Sequence, residues 1–196
     1  MSEPRTQSER ITELPDGAIH WSIHDERIDF RSEAYAVPGV HGWVLIDPLP
    51  VTPALRAKLG TIEAICLTGG FHQRAAWSFD AAVWAPVGAE GLEGEPSLYY
   101  EPGALLPGAL KAMASVGPNN PHALFLWQER ALFCGDLVMR DGDGPFRLVP
   151  ERYRRDPAGL AASVQEISGW DLERLYPAHG APLLSGAREA LAALAG

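Results

Sequence analysis

Three times along the 196 residues a short apolar run stops at a polar residue and hands over to a loop: AICLT into GGFHQR, ALFC into GDLVMRDGDG, and LERLY into PAHGAP. A continuous apolar run such as IEAICLT, with no alternation, reads as a strand buried on both faces. Strands of that kind need a covering layer on each side. Helices that cannot lie between two sheets must therefore lie outside them, which gives an α+β, four-layer αββα sandwich with two central mixed sheets. Strand ends brought to one edge of such a sheet pair are where binding sites gather, because the sheets fix the geometry and the loops carry the chemistry.

The remaining segments fit that frame. RITEL and AIHWSI alternate around a PDG turn as a hairpin, and EAYAVPG and HGWVLIDP form a second strand pair. Thr52 followed by Pro53 starts a short helix, TPALRAKLG, and Asp156 followed by Pro157 starts DPAGLAASVQEIS, where Leu160, Val164 and Ile167 fall at helical spacing. QRAAWSFD is a further helix candidate and AAVWAP a buried strand. The Gly-, Pro- and Glu-rich block from VGAEG to LLPG reads as surface loop with one helical turn. ALKAMASV, HALFLWQ and ALFCGDLV are three successive strands, LERLYPAHGAPL runs from strand into loop, and SGAREALAALAG is a helix capped at Ser185. Residues 1–9 are polar and expected to be a disordered N-terminal tail, leaving residues 10–196 as one domain.

Composition narrows the partners. A net charge of -9 argues against a broad nucleic-acid surface, which needs clustered Lys and Arg. Arg147, Arg152, Arg154 and Arg155 form one local basic cluster that can meet an anion, although such clusters are usually solvated surface. Cys66 and Cys134 each lie inside an apolar run and read as free buried thiols. No stretch approaches a membrane span or a signal sequence, so no membrane partner is expected and the expected location is the cytoplasm.

GWVLIDP, AICLTGGFHQR, ALFCGDLV and LYPAHGAP, in this order, resemble the metallo-β-lactamase superfamily, and the resemblance runs from GWVLIDP to the final helix. It implies that residues 10–196 are a metallo-β-lactamase-like domain with the four-layer sandwich. Most members of that superfamily are hydrolases of lactams, thioesters or phosphoesters that use zinc, iron or manganese. The resemblance places Asp136 at the aspartate that bridges two metals, His179 at the histidine ligand of the last loop, and Asp47 at an aspartate that orients loops by hydrogen bonding. The departures lie in the first motif. With Thr68 on the family threonine, Gly69 and Phe71 fall on the first two histidines, Gln73 on the aspartate and Arg74 on the third histidine. A further histidine position falls in VGPNNP, which offers Asn119 and Asn120.

Tight zinc binding takes about three or four His, Asp, Glu or Cys ligands, and two matched ligands fall short. Three readings follow. In the first, the usual dinuclear centre is lost, no cofactor is needed, and a small anionic molecule binds at the vestigial site through Arg74, His72, Asn119, Asn120, Asp136 and His179. Arg74 then forms a bidentate salt bridge that neutralises Asp136. In the second, His72, one position off register, joins Asp136 and His179 to hold a single divalent metal, zinc, iron or manganese, in a reduced hydrolase site. A third reading, an interaction module or homo-oligomer subunit, rests on the six tryptophans.

Other polar residues carry less. His20 and His24 share a strand face but read as surface. His122 and His41 read as turn residues. RDGDGPF lacks the later acidic ligand of a calcium loop. Ser115, Ser78 and Cys134 have no base partner visible in the sequence.

Overall fold

The computed structural model describes residues 3–117 and 121–195. Strand β1 (Thr12–Glu13) pairs antiparallel with β2 (Ile19–Asp25), and Gly17 (φ 87°) supplies the left-handed residue of the turn between them. β3 (Phe30–Pro38) and β4 (Trp43–Ile46) extend the sheet antiparallel. Helix α1 (Pro53–Leu59) then carries the chain back, so that β5 (Ile62–Cys66), β6 (Ala82–Pro86) and β7 (Leu98–Tyr100) join in parallel. Thr52 caps α1 by accepting from the Leu55 amide, as the Thr-Pro pair predicts.

The second sheet begins with β8 (Leu105–Leu106), β9 (Leu110–Ser115), β10 (His122–Trp127) and β11 (Ala131–Gly135), all antiparallel. A small hairpin, β12 (Val138–Met139) with β13 (Arg147–Leu148), and helix α2 (Pro157–Ser168) follow. β14 (Arg174–Pro177) then lies parallel to β11, and α3 (Ala187–Ala195) closes the chain. The sheets have seven and five strands, and both are mixed.

Three apolar clusters make the layering explicit. Tyr35, Ile46, Cys66, Phe125 and Phe133 pack between the two sheets. Trp21, Leu45, Leu59, Ile65 and Phe79 join the outer face of the first sheet to α1 and the turns after β5. Leu124 and Leu132 meet Leu160, Val164, Ile167 and Leu191 of α2 and α3 on the outer face of the second. Each fully buried aliphatic side chain contributes about 1.5–3 kcal/mol. The four-layer αββα arrangement is the one the apolar runs require. Both cysteines are free and buried.

Three local expectations are corrected. QRAAWSFD does not form an α-helix: a single 3-10 turn, Ala76–Ser78, lies within it and another, Gly70–His72, just before it, because Arg74 takes φ 34° and the Ala75 amide donates to the Pro48 carbonyl. The block expected as loop contains β7 and β8. The described part of the N-terminal segment is attached to the fold: Arg5 and Thr6 amides donate to Glu26, and Ser8 pairs with Val51 in an isolated bridge. Among the described residues no helix is long and apolar enough to cross a membrane.

Candidate active site

The ends of β4, β5, β11 and β14 meet along one edge of the sheet pair, and each delivers one polar group. Asp47 follows β4 directly and adopts φ 46°, a left-handed conformation uncommon for a residue with a side chain. Such strain costs on the order of 1–3 kcal/mol and persists only where the surroundings enforce it. Here they do. Oδ1 of Asp47 accepts from the Thr68 amide at 2.8 Å and Oδ2 accepts from the Thr68 hydroxyl at 2.6 Å, which locks the end of β4 to the end of β5.

His72, in the turn after β5, is buried and places Nδ1 2.7 Å from the Thr68 hydroxyl oxygen and 2.9 Å from Oδ2 of Asp47. Because the Thr68 proton is already given to Asp47, Nδ1 must carry hydrogen and donate. The other ring nitrogen, Nε2, is thereby turned on Oδ2 of Asp136 at 3.1 Å. Asp136 follows Gly135 (φ 51°), where a Cβ would stand 2.6 Å from Nε2 of His122, so glycine is required for this approach.

His179, after β14, repeats the arrangement. Its Nδ1 lies 3.2 Å from the Arg31 carbonyl, a pure acceptor, so Nδ1 again carries the hydrogen. Its Nε2 faces Oδ1 of Asp136 at 3.2 Å. Oδ1 is buried and, despite that proximity, accepts no hydrogen bond of sound geometry. Two imidazole nitrogens with outward lone pairs facing one carboxylate repel it unless a positive charge lies between them. That charge is a proton or a metal ion.

Without a metal, the proton serves. Burial pushes the His72 imidazole down, but the neighbouring Asp136 and Asp47 carboxylates outweigh it and raise it to about 9. Burial alone would raise Asp136, yet the charges of His72 and His179 hold it well below the usual carboxylate range. The three ligand atoms of His72, Asp136 and His179 lie within 4.8 Å of one another, as a shared ion requires. With each histidine fixed through its far nitrogen by an acceptor behind it, the set matches the second-sphere pattern of metal-binding histidines.

Arg74 departs from expectation. The salt bridge to Asp136 is not formed. The guanidinium is buried, and its Nη1 donates to the carbonyls of Glu33 (2.8 Å) and Asp47 (3.2 Å), with Nη2 3.5 Å from the carbonyl of Ala178. At the edge of the cleft it spends its donors on backbone carbonyls and clamps three segments instead of neutralising one carboxylate. Gln73 also turns away: its side-chain oxygen accepts from Trp77 and from the Glu93 amide, and its amide donates to Gly91. Phe71 is 41% exposed at the mouth of the site. Asn119 and Asn120 lie outside the described residues.

Several features had no sequence signal. Ser115 and His122 are paired at 2.6 Å, and Nε2 of His122 accepts from the Asp136 amide at 3.2 Å. Since Nε2 accepts, Nδ1 is the protonated nitrogen and donates to Ser115, so this pair supports Asp136 and does not activate a nucleophile. His20 is buried against Glu33 at 2.5 Å, not on the surface, and His24 meets Asp29. The β2–β3 turn, Arg27 to Phe30, forms one wall of a cleft of about 650 Å³ whose floor holds His72, Asp136 and His179.

No family model matches the chain. Over 72 residues it is 35% identical to the Beta-lactamase-like protein 2 homolog of Caenorhabditis elegans, a match that spans 36% of this chain and 22% of that relative. The DIM-1 metallo-β-lactamase superposes with a TM-score of 0.73 at 16% identity, covering 97% of each chain. TTHA1623, solved in a di-iron-bound form, superposes with a TM-score of 0.61 at 24% identity, covering 79% of this chain and 90% of that one. The chain has the metallo-β-lactamase fold.

Proposed function

We propose that the chain is a metal-dependent hydrolase of esters, thioesters or phosphoesters, with a reduced site in which His72, Asp136 and His179 hold a single divalent ion. The observation that carries this reading is the shared orientation of the two histidines. Each gives Nδ1 to an acceptor behind it and presents Nε2 to the same aspartate. A structural salt bridge needs no such pair of fixed tautomers, whereas a cation between three ligand atoms does.

A divalent ion supplies Lewis acidity toward a substrate carbonyl or phosphoryl oxygen and acidifies water. The protein's own part is positioning. Asp47 and Thr68 fix the His72 ring, and the Arg31 carbonyl fixes His179. Arg74 is a permanent cation beside the site, and its positive charge lowers the electrostatic cost of keeping Asp47 and Asp136 ionised. Phe71 and the β2–β3 turn wall the cleft on the side opposite the sheets and give a substrate an apolar surface to lie against.

A second reading keeps the site free of metal and binds a small anion. In its favour, His72 remains an imidazolium and Arg74 lines the cleft. Against it, that imidazolium is enclosed between Asp47 and Asp136, so an anion approaching it meets two carboxylates.

Protein stripped with chelator and reloaded with zinc, iron(II) or manganese(II), one at a time, distinguishes the readings in ester, thioester and phosphoester screens. Turnover that returns with one equivalent of ion and falls at least about 100-fold in folded Asp136→Ala supports the hydrolase. Turnover indifferent to chelation, or equal in the variant, overturns it.

A further inference from the structure

The cleft above the site has two chemically distinct linings. Ile28, Phe71 and Tyr153 are 45%, 41% and 52% exposed, so three of the nine large hydrophobic residues exposed among the described residues gather in this one concavity. Isolated exposed apolar residues are ordinary, but several in one concave wall mark a surface that something covers.

Charge is also concentrated there. The chain carries -9 overall, yet the cleft is lined by four arginines, Arg27, Arg74, Arg147 and Arg152, against the aspartates Asp25, Asp29 and Asp136. Arg27 is joined to Asp25 at 2.6 Å, and Asp136 is enclosed by two histidines. Asp29 is highly exposed and meets His24. Arg147 pairs with an exposed carboxylate, Asp141, at 3.6 Å, and the Arg152 guanidinium lies 4.8 Å over the Tyr153 ring. Of the basic cluster in the sequence, Arg154 is diverted, since its Nε donates to the Val149 carbonyl. Two guanidiniums thus border an apolar wall, and the one ion pair that either makes among the described residues is long and solvent-exposed.

We infer that the molecule bound in this cleft is an amphiphilic anion: its apolar body lies against Ile28, Phe71 and Tyr153, and a carboxylate, sulfonate or phosphate on it is held by Arg147 and Arg152. The inference names the substrate class for the proposed hydrolase and rests on that reading for its meaning, but binding of the anion requires no metal. Guanidinium groups suit such oxyanions because their planar donors match them two at a time. The anionic group is a recognition element and is separate from the bond that reacts over His72, Asp136 and His179.

The test uses two fluorescent probes of similar shape, 1-anilinonaphthalene-8-sulfonate, which is anionic, and N-phenyl-1-naphthylamine, which is neutral. Each is titrated into the full chain at about 0.1 M salt, where distant exposed charges are largely screened. The expected result is saturable binding of both, the sulfonate at least about fivefold tighter. The double variant Arg147→Gln, Arg152→Gln, shown to be folded by its near-UV circular dichroism, should erase that preference while still binding the neutral probe. Phe71→Ser should weaken both probes. Equal affinity for the two probes, a preference that survives the double variant, or failure of both to bind would overturn the inference. Repeating the titrations after chelation separates the two proposals. A preference intact in a protein that neither holds metal nor turns over leaves the inference standing and removes the hydrolase.

Discussion

Asp47 and His72 are joined at 2.9 Å, Oδ2 to Nδ1, and this contact decides which nitrogen of His72 faces the cleft. The same carboxylate holds the Thr68 amide and hydroxyl, so one side chain fixes two strand ends and one imidazole tautomer. Replacing it by Asn keeps an oxygen for the Thr68 amide but removes the charge that orients His72. Asp47→Asn is expected to weaken metal binding about 10–100-fold, the usual cost of losing such a partner. Competition against a chelator of known affinity checks this, and an unchanged affinity would show that His72 is held by Thr68 alone.

The charge on His72 makes the metal-free protein pH-sensitive in a defined direction. An unfolded histidine titrates near 6.5, and in the fold Asp136 and Asp47 overcome burial to raise His72 to about 9. Because the folded value is the higher one, the stabilisation is complete below about pH 6.5 and is lost as pH rises through about 9. Its size is about 3 kcal/mol. Urea unfolding of chelator-treated protein across this window should show the decline, and His72→Gln should abolish it; a flat profile in the unaltered protein would contradict it. Metal affinity should move oppositely and rise with pH, since the ion must displace the same proton.

Arg74 supports the site by clamping backbone. Arg74→Met strips donors from the buried carbonyls of Glu33 and Asp47 and is expected to destabilise the fold by about 3 kcal/mol or more. Arg74→Lys, lacking the fork, should recover only part of this. Denaturant unfolding measures both, and a loss as small as that of an exposed substitution would remove the clamp from the account.

His122 contributes on the acid side. Burial pushes it down to about 4, so it remains neutral while an unfolded histidine would be charged. The stability it confers is present above about pH 6.5 and is lost as pH falls toward about 4. Ser115→Ala leaves its Nδ1–H without an acceptor and should cost about 1–2 kcal/mol at neutral pH. Thermal unfolding reads this directly, and an unchanged midpoint would mean that the hydroxyl is not the partner.

Local signals were enough to place most elements. Thr52 and Asp156, each before a proline, cap α1 and α2, and the apolar runs around Ile65, Phe133 and Leu175 became buried strands. Asp47 as the loop-orienting residue was also legible, through the resemblance of GWVLIDP to a family strand that ends in such an aspartate. Edge strand β7 was not, because Leu98 and Tyr99 are half exposed and its flanks are rich in Gly and Pro. Arg74 was misassigned for a related reason. Sequence records its charge and its distance along the chain from Asp136, but the carbonyls of Glu33 and Ala178 come near only when both sheets have formed. The wall supplied by Ile28 and Tyr153 depends on the same closure and has no motif of its own.

The central claim is that His72, Asp136 and His179 hold one ion, and metal content measures this most directly. Protein purified without a histidine tag and without chelator is analysed by elemental mass spectrometry, before and after incubation with zinc, iron(II) and manganese(II), beside Asp136→Ala and His72→Ala. The account predicts close to one equivalent of a divalent metal in the unaltered chain and its loss in both variants. No metal above background after all three incubations, or equal metal in Asp136→Ala, would contradict it.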